Sequence, residues 1–292
     1  MKNYNRIDRV VMMLLTSLSM RFASQYLYWR IFHRRLNLKD PQTFNEKLMK
    51  LKLDMYAKDP LVKKCVDKYR VRDYVVEQEC SDILIPLLGV WTRPELIPFE
   101  KLPQRFVLKC NHGCGYNIIC ADKSTFNTAH AKKVLNKWLH EDFWRRFGES
   151  NYKAIDKKVI CEAFIGTDSM SVPIDYKFYC FHGVAKYVMV CCERDSGNPK
   201  FFFFDRTWKL KRINLDGINA PFDFSMPKPE HLNKMFFYAD KLSQPFPFVR
   251  VDLYEANSKI YFGELTFTPS AALDTERLPE ADKLFCSLLD LN

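Results

Sequence analysis

Glycine is scarce in this chain, nine among 292 residues, and that scarcity removes several explanations at once. A glycine-rich linker, a collagen-like repeat and a low-complexity segment are excluded, so no long piece reads as disordered. Neither a Walker A loop nor a Rossmann fingerprint occurs. No CxxC pair is present, although there are ten cysteines. Cys110, Cys120, Cys161, Cys180 and the adjacent Cys191 and Cys192 lie in apparent core strands, where a thiol behaves as a small hydrophobe. That argues against a zinc site. Without a recognisable secretory signal, the expected compartment is a reducing cytoplasm. RNP-type aromatics, zinc fingers and a base-reading helix are absent too, so no nucleic-acid partner is expected. The apolar run from Val10 to Met20 stops at Arg21, short of the ~20 residues a bilayer requires.

What remains is a large, aromatic, basic protein. Hydrophobic residues at 47% are enough for a sizeable core divided into two or three subdomains. The formal charge of +10 suits an anionic partner, whether a nucleotide, an acidic polymer or membrane phosphates. Phe22 to Phe32 is aromatic and leads into His33, Arg34 and Arg35, which fits a membrane interface and a packed helix equally.

Along the chain, residues 1–40 read as one or two helices ending at Asp40-Pro41. Thr43 and Glu46 form a capping box for a helix through Leu53. Pro60 opens another, with Val62, Val66, Tyr69 and Val76 as its apolar stripe and Lys68 on its flank. Strands are expected from Ile83 to Val90, Phe106 to Lys109, Asn117 to Cys120, Val159 to Ile165, twice within Asp175 to Cys192, and from Phe201 to Phe204. Helices are expected from Thr128 to Phe147 and from Pro227 to Ser243. Helix and sheet alternate without βαβ spacing, so the fold class is α+β.

The chemistry concentrates in a few isolated charges. Val249 to Pro269 reads as a hairpin turning at Asn257-Ser258, with Asp252 and Glu264 inside apolar alternation. Pairing Tyr254 with Ile260 puts Arg250, Asp252, Glu264 and Thr266 on one face with the two acids diagonal, within reach of one cation. Buried acids need a partner. That partner is a Mg²⁺ kept with substrate phosphates, or Arg250 in a salt bridge with Glu264. Lys109 ends a strand directly before Gly113 and Gly115, an arrangement suited to phosphate as well as to an ordinary hairpin turn. Glu162 sits in an apolar strand, where an exocyclic amine or a nearby lysine, Lys157 or Lys158, would satisfy it. Lys177 is a further lone cation among aromatics.

These elements in this order resemble the ATP-grasp superfamily. More narrowly, TFNEKL, LVKKCVDKYRVRDYV, LIPLLGVW, FVLKCNHGCGYNII, DYKFYCFHG and FPFVRVDLYEANSKIYFGELTFTP are similar to its TupA-like branch, over roughly residues 40 to 292. The resemblance implies an ATP-grasp fold in which two α+β subdomains clasp ATP. It divides the chain into an N-terminal helical extension (1–40), an N-terminal subdomain (41–105), a lid subdomain (106–165) and a C-terminal subdomain with the metal site (166–292). Lys68 and Lys109 would then lie on the phosphates with Gly113 to Gly115 as a flexible lid, His112 would join the cofactor site, and Glu162 and the Phe164 backbone would meet adenine. Asp168 would meet the ribose, Lys177 the terminal phosphate and Arg250 the transferred phosphoryl group, with Asp252 and Glu264 on Mg²⁺. Two departures stand out: Thr266 replaces an asparagine common two residues after the metal glutamate, and Ser270, Ala271 and Ala272 replace a glycine-containing turn.

The implied activity is an ATP- and Mg²⁺-dependent carboxylate-amine ligase working through an acyl phosphate. It would join an amino acid or amine to a uronic-acid carboxylate in a surface polysaccharide or its precursor. It would work in the cytoplasm or at the inner face of the membrane, touched by residues 1–40. A glycosyltransferase with a metal-bound nucleotide sugar is the alternative, and a membrane-peripheral module with an inactive nucleotide site is a third reading.

Overall fold

Alternating apolar residues build two antiparallel sheets here, and the acids inside that alternation end up between them. The computed structural model describes residues 5–166, 173–192 and 197–291, so Asp168 lies outside the described residues. In chain order the helices are α1 (Arg6–Leu18), α2 (Met20–Phe32), α3 (Phe44–Leu53), α4 (Pro60–Cys65), α5 (Val71–Glu77), α6 (Thr128–His140), α7 (Phe143–Phe147), α8 (Leu215–Asn219), α9 (Leu232–Ser243) and α10 (Pro279–Leu288). The strands are β1 (Leu87–Trp91), β2 (Phe106–Cys110), β3 (Asn117–Cys120), β4 (Val159–Ala163), β5 (Asp175–Phe181), β6 (Val184–Cys192), β7 (Lys200–Asp205), β8 (Leu210–Lys211), β9 (Phe248–Ala256) and β10 (Lys259–Thr266). The smaller sheet runs β1-β4-β2-β3 and the larger β10-β9-β5-β6-β7-β8.

Each sheet has its own core. Phe106, Leu108, Cys110, Leu135 and Cys161 pack the smaller one against α6. The larger sheet buries Phe178, Cys180, Val251 and Leu253 beneath α9, where Phe178 meets Phe236 edge-on at 4.9 Å. Its other face is closed at one end by Phe44 of α3 and Phe285 of α10, both in contact with Phe181. The same core extends through Leu27 and Tyr28, so α2 is a packed helix.

Local chemistry explains most boundaries. Thr43 and Glu46 close the expected capping box on α3. The single helix expected from Pro60 is two, because the Asp67 carboxylate accepts from the amides of Tyr69 and Arg70 and turns the chain between α4 and α5. Val76 is consequently exposed and not part of a stripe. Thr128 to Phe147 likewise breaks into α6 and α7, and Ile83 ends a short 3₁₀ turn before β1 begins at Leu87.

The hairpin register also differs from expectation. Asn257 and Ser258 both adopt positive φ, 51° and 55°, in a two-residue loop that pairs Ala256 with Lys259 and Tyr254 with Tyr261. That pairing is one residue off the expected Tyr254–Ile260 register. A bulge at Gly263 then shifts it again, so that Glu264 faces Asp252 directly and Thr266 faces Arg250. The four side chains still share a face, and the acids are opposed instead of diagonal.

A Cβ at position 263 would lie 2.9 Å from the Asp252 carbonyl oxygen and from the Tyr254 ring. Gly263→Ala should therefore disturb the bulge and destabilise the fold by about 1–3 kcal/mol. Thermal unfolding together with Mg²⁺-dependent nucleotide binding checks this: both should weaken, and a variant unchanged in both contradicts the role given to the bulge.

Candidate active site

The row of charges is set by strand pairing. Glu264 on β10, Asp252 on β9 and Lys177 on β5 are successive partners across the larger sheet, and Thr266, Arg250 and Tyr179 form the next row. Arg250 grips Asp252 with two bonds, Nε to Oδ1 and Nη2 to Oδ2, each 2.7 Å. It lies 3.8 Å from Glu264, so the salt bridge considered from sequence is the looser of its contacts. Lys177 donates to Asp252 at 2.8 Å and also to Asp175. Lys68 reaches across from the α4–α5 turn to Glu264 at 2.7 Å. The Thr266 hydroxyl accepts from Arg250 and donates to Glu264, each at 3.1 Å, so the departure from asparagine keeps a group that orients the acid.

The electrostatics follow from this mutual pairing. Burial alone would raise the Glu264 carboxyl, but Lys68 and Arg250 outweigh it and hold the group well below the usual carboxylate range. Burial would likewise lower Lys68, Lys177 and Arg250, and Glu264 for the first and Asp252 for the other two reverse its direction. Burial and the neighbouring Asp252 push Asp175 up. All three cations remain charged, ready for an anion.

A second cluster lies on the smaller sheet. Glu162 on β4 takes Lys109 at 2.6 Å on one oxygen and Arg72 at 3.1 Å on the other. Lys157 and Lys158, its partners considered from sequence, pair instead with Asp142 and Asp156. Beside this cluster a cavity of about 120 Å³ is lined by Val107, Ile119, Phe164, Ile165 and, from the larger sheet, Tyr254. A flat, mostly apolar group with one polar edge fits it. Another cavity, about 220 Å³, opens beyond Lys177 and Arg250 toward Phe201, Ser270, Glu276 and Arg277. Ser270, Ala271 and Ala272 at its edge all hold positive φ, 51° to 63°, although none is glycine. The Thr268 hydroxyl, donating to the buried Glu149 at 2.5 Å, anchors that turn.

Asn111 joins the two clusters and was not singled out from sequence. Its side-chain amide donates to Asp67 at 2.9 Å and its carbonyl accepts from the Lys68 amide at 3.1 Å, so the loop after β2 carries the turn that aims Lys68. Arg72 was missed as well, although its place four residues after Lys68 hinted at it, and Asp175 two residues before Lys177 likewise.

Two positions in the glycine loop differ from the sequence reading. His112 is buried, its Nε2 3.0 Å from the Trp138 carbonyl and its ring beside Tyr116, so it belongs to the core of the smaller sheet. Burial, together with Lys157, lowers its pKa to about 4, which leaves it no positive charge for phosphates at neutral pH. Gly113 is also buried, where a Cβ would lie 2.8 Å from Phe143 and Tyr116. Gly115 alone, at φ 77° with open space around it, has the turn freedom expected of the loop.

A family model described as TupA-like ATPgrasp matches residues 46–289. The chain belongs to that family. A search of curated proteins finds no match. Among solved structures the protein is similar to a D-alanine–D-alanine ligase from Bacillus anthracis, at 14% identity over 84% of this chain and 73% of that one, with a TM-score of 0.48. It is also similar to a D-cycloserine synthetase, at 13% identity over 80% and 72%, with a TM-score of 0.44. An ADP complex of N5-carboxyaminoimidazole ribonucleotide synthetase matches at 12% identity over 70% of this chain, with a TM-score of 0.41. The chain spans about half the length of that last protein, 45%. Family membership carries the α+β ATP-grasp fold, with ATP and Mg²⁺ as cofactors. The donor set fits such a metal: Asp252 and Glu264 stand opposed on β9 and β10, and Mg²⁺ is commonly bound by one or two carboxylates together with substrate phosphates.

His112 yields a pH test. Neutral in the folded protein, it takes up a proton below about 6.5 only when unfolded, so stability falls as pH drops from 6.5 toward 4, by up to roughly 3 kcal/mol. Denaturant unfolding at pH 7 and pH 5 should show this loss, and His112→Gln should flatten it. An equal pH slope in wild type and variant contradicts the buried placement.

Proposed function

We propose that this ATP-grasp enzyme is a carboxylate-amine ligase. The observation that carries the reading is the row of Lys68, Glu264, Asp252, Lys177 and Arg250, which lies between two cavities that suit different ligands. The smaller cavity takes adenine, with Glu162 and the Phe164 backbone at its polar edge, and Tyr254 closes its far side. Lys109 and Lys68 meet the phosphates from the two sheets. Asp252 and Glu264 would hold Mg²⁺, which would supply neutralisation of the phosphate charge and polarisation of the terminal phosphorus.

The acceptor enters from the larger cavity. A carboxylate oxygen attacks the terminal phosphorus, the bond to the bridging oxygen breaks, and ADP leaves with that electron pair. Arg250 and Lys177 stabilise the charge on the transferred group, since phosphoryl transfer depends on positioned cations more than on a protein nucleophile. An amine then attacks the acyl carbon, loses a proton and expels phosphate, leaving an amide.

For the acceptor we propose a uronic-acid carboxylate of a surface polysaccharide or its lipid-linked precursor, and for the amine an amino acid or a similar small molecule. The support is the family resemblance together with the mixed lining of the larger cavity, where Phe201 offers an aromatic surface and Asn214, Glu276 and Arg277 supply polar groups for hydroxyls and a carboxylate. ATP as co-substrate favours the cytoplasm, at the inner face of the membrane if the acceptor is lipid-linked.

An ADP-release screen of amino acids against uronic-acid glycans tests the reading. Addition of hydroxylamine should trap the acyl phosphate as a hydroxamate, and Asp252→Asn should lower turnover at least about a hundredfold. Release of a nucleoside diphosphate from a sugar donor, with no ADP formed from ATP, would point to the transferase instead.

A further inference from the structure

Helix α1 turns its apolar side away from the protein. Its inward side carries Asp8, Met12 and Thr16. Asp8 accepts from the Tyr26 hydroxyl at 2.8 Å and meets Arg30 at 3.3 Å, and the Thr16 hydroxyl donates to the Met12 carbonyl at 2.6 Å. Asp8 thus ties the helix to α2, and Met12 enters the core beside it. On the outside stand Ile7, Val10, Leu14 and Leu18, with Ile7 71%, Leu14 65% and Leu18 80% exposed. Their spacing puts them in one row along the helix. Met13 widens that row, and Phe22 at the start of α2 is exposed as well. A contiguous apolar row of this kind marks an interaction surface.

The charges of the helix favour one kind of occupant. Arg6 and Arg9 are exposed, whereas Asp8, the only acid of α1, is turned inward, so the outward side presents cations and no carboxylate. The helix, 13 residues long, rises about 20 Å, too short to cross a bilayer and suited to lying in its plane. Among the described residues no helix is long and apolar enough to cross a membrane.

We propose that the outward face of α1 seats in the surface of an anionic phospholipid membrane. Ile7, Val10, Leu14 and Leu18 enter the acyl boundary, and Arg6 and Arg9 meet the headgroup phosphates. The surface stands independently of the ligase reading, which it would complement by bringing the enzyme to an acceptor carried on lipid.

Flotation of the full chain with vesicles of phosphatidylcholine, alone or mixed with phosphatidylglycerol, tests the proposal. The protein should float with the anionic vesicles. The pair Leu14→Asp and Leu18→Asp should reduce binding at least about tenfold. Arg6→Glu and Arg9→Glu should each weaken it about fivefold at low salt. ATP binding should be unchanged in every variant, since these positions are exposed and line neither cavity of the proposed site, and it reports that the variants fold. Wild-type protein left at the bottom of the gradient overturns the proposal, as does a leucine variant that floats as well as wild type. Self-association abolished by the leucine variant, without flotation, also overturns it and assigns the face to a second copy. Flotation without ADP release would sink the ligase reading and leave this surface standing.

Discussion

The structure depends on a charge-balanced, partly buried row on the larger sheet: Lys68, Lys177 and Arg250 against Asp175, Asp252 and Glu264. Burying any one of these alone would cost several kcal/mol, and the set is tolerated because each charge faces an opposite one at hydrogen-bond range. Such a row adds little to stability compared with apolar packing. Its value is preorganisation: the cations stay charged and Glu264 stays ionised, and on the proposed reading the row would exchange internal partners for a magnesium nucleotide, phosphates taking the cations and the metal the carboxylates.

Everything that aims the row belongs to the scaffold. The bulge at Gly263 brings Glu264 opposite Asp252, and Thr266 holds both Glu264 and Arg250. Asp67 breaks a helix so that Lys68 projects from a turn, and Asn111 ties that turn to the smaller sheet. The two sheets keep separate cores, and groups reach from one to the other: Lys68, tied by its amide to Asn111, pairs with Glu264, and Tyr254 lines the cavity beside Glu162. A motion of one core against the other would therefore act directly on these contacts.

Much of this was legible in the sequence where the signal is local. The capping box at Thr43 and Glu46, the alternation of β9 and β10, and the turn at Asn257-Ser258 need only neighbouring residues, whereas the face shared by Arg250, Asp252, Glu264 and Thr266 depends on the bulge at Gly263 as well. The register was misread first at the turn, whose two-residue loop pairs Ala256 with Lys259, and again at the bulge, which leaves no trace in alternation except a glycine in mid-strand, Gly263. The kink at Asp67 was hidden because an aspartate bonding ahead to the backbone looks, in a periodic pattern, like any helical residue. His112 drew attention through its glycine neighbours, yet its ring is claimed by Tyr116 and the Trp138 carbonyl, contacts that form only once α6 packs on the smaller sheet. Arg72 and Asp175 complete ion pairs, Arg72 across elements, and isolated charges in a sequence do not announce their partners.

The central claim is that Asp252 and Glu264 hold a metal together with phosphates and are more than partners for Lys68 and Arg250. Calorimetric titration of ATP into the wild-type protein and into Glu264→Gln, each with Mg²⁺ and with a chelator, tests it most directly. The account predicts that Mg²⁺ tightens ATP binding at least about tenfold in wild type and hardly at all in the variant. Equal gains from Mg²⁺ in both proteins would contradict it.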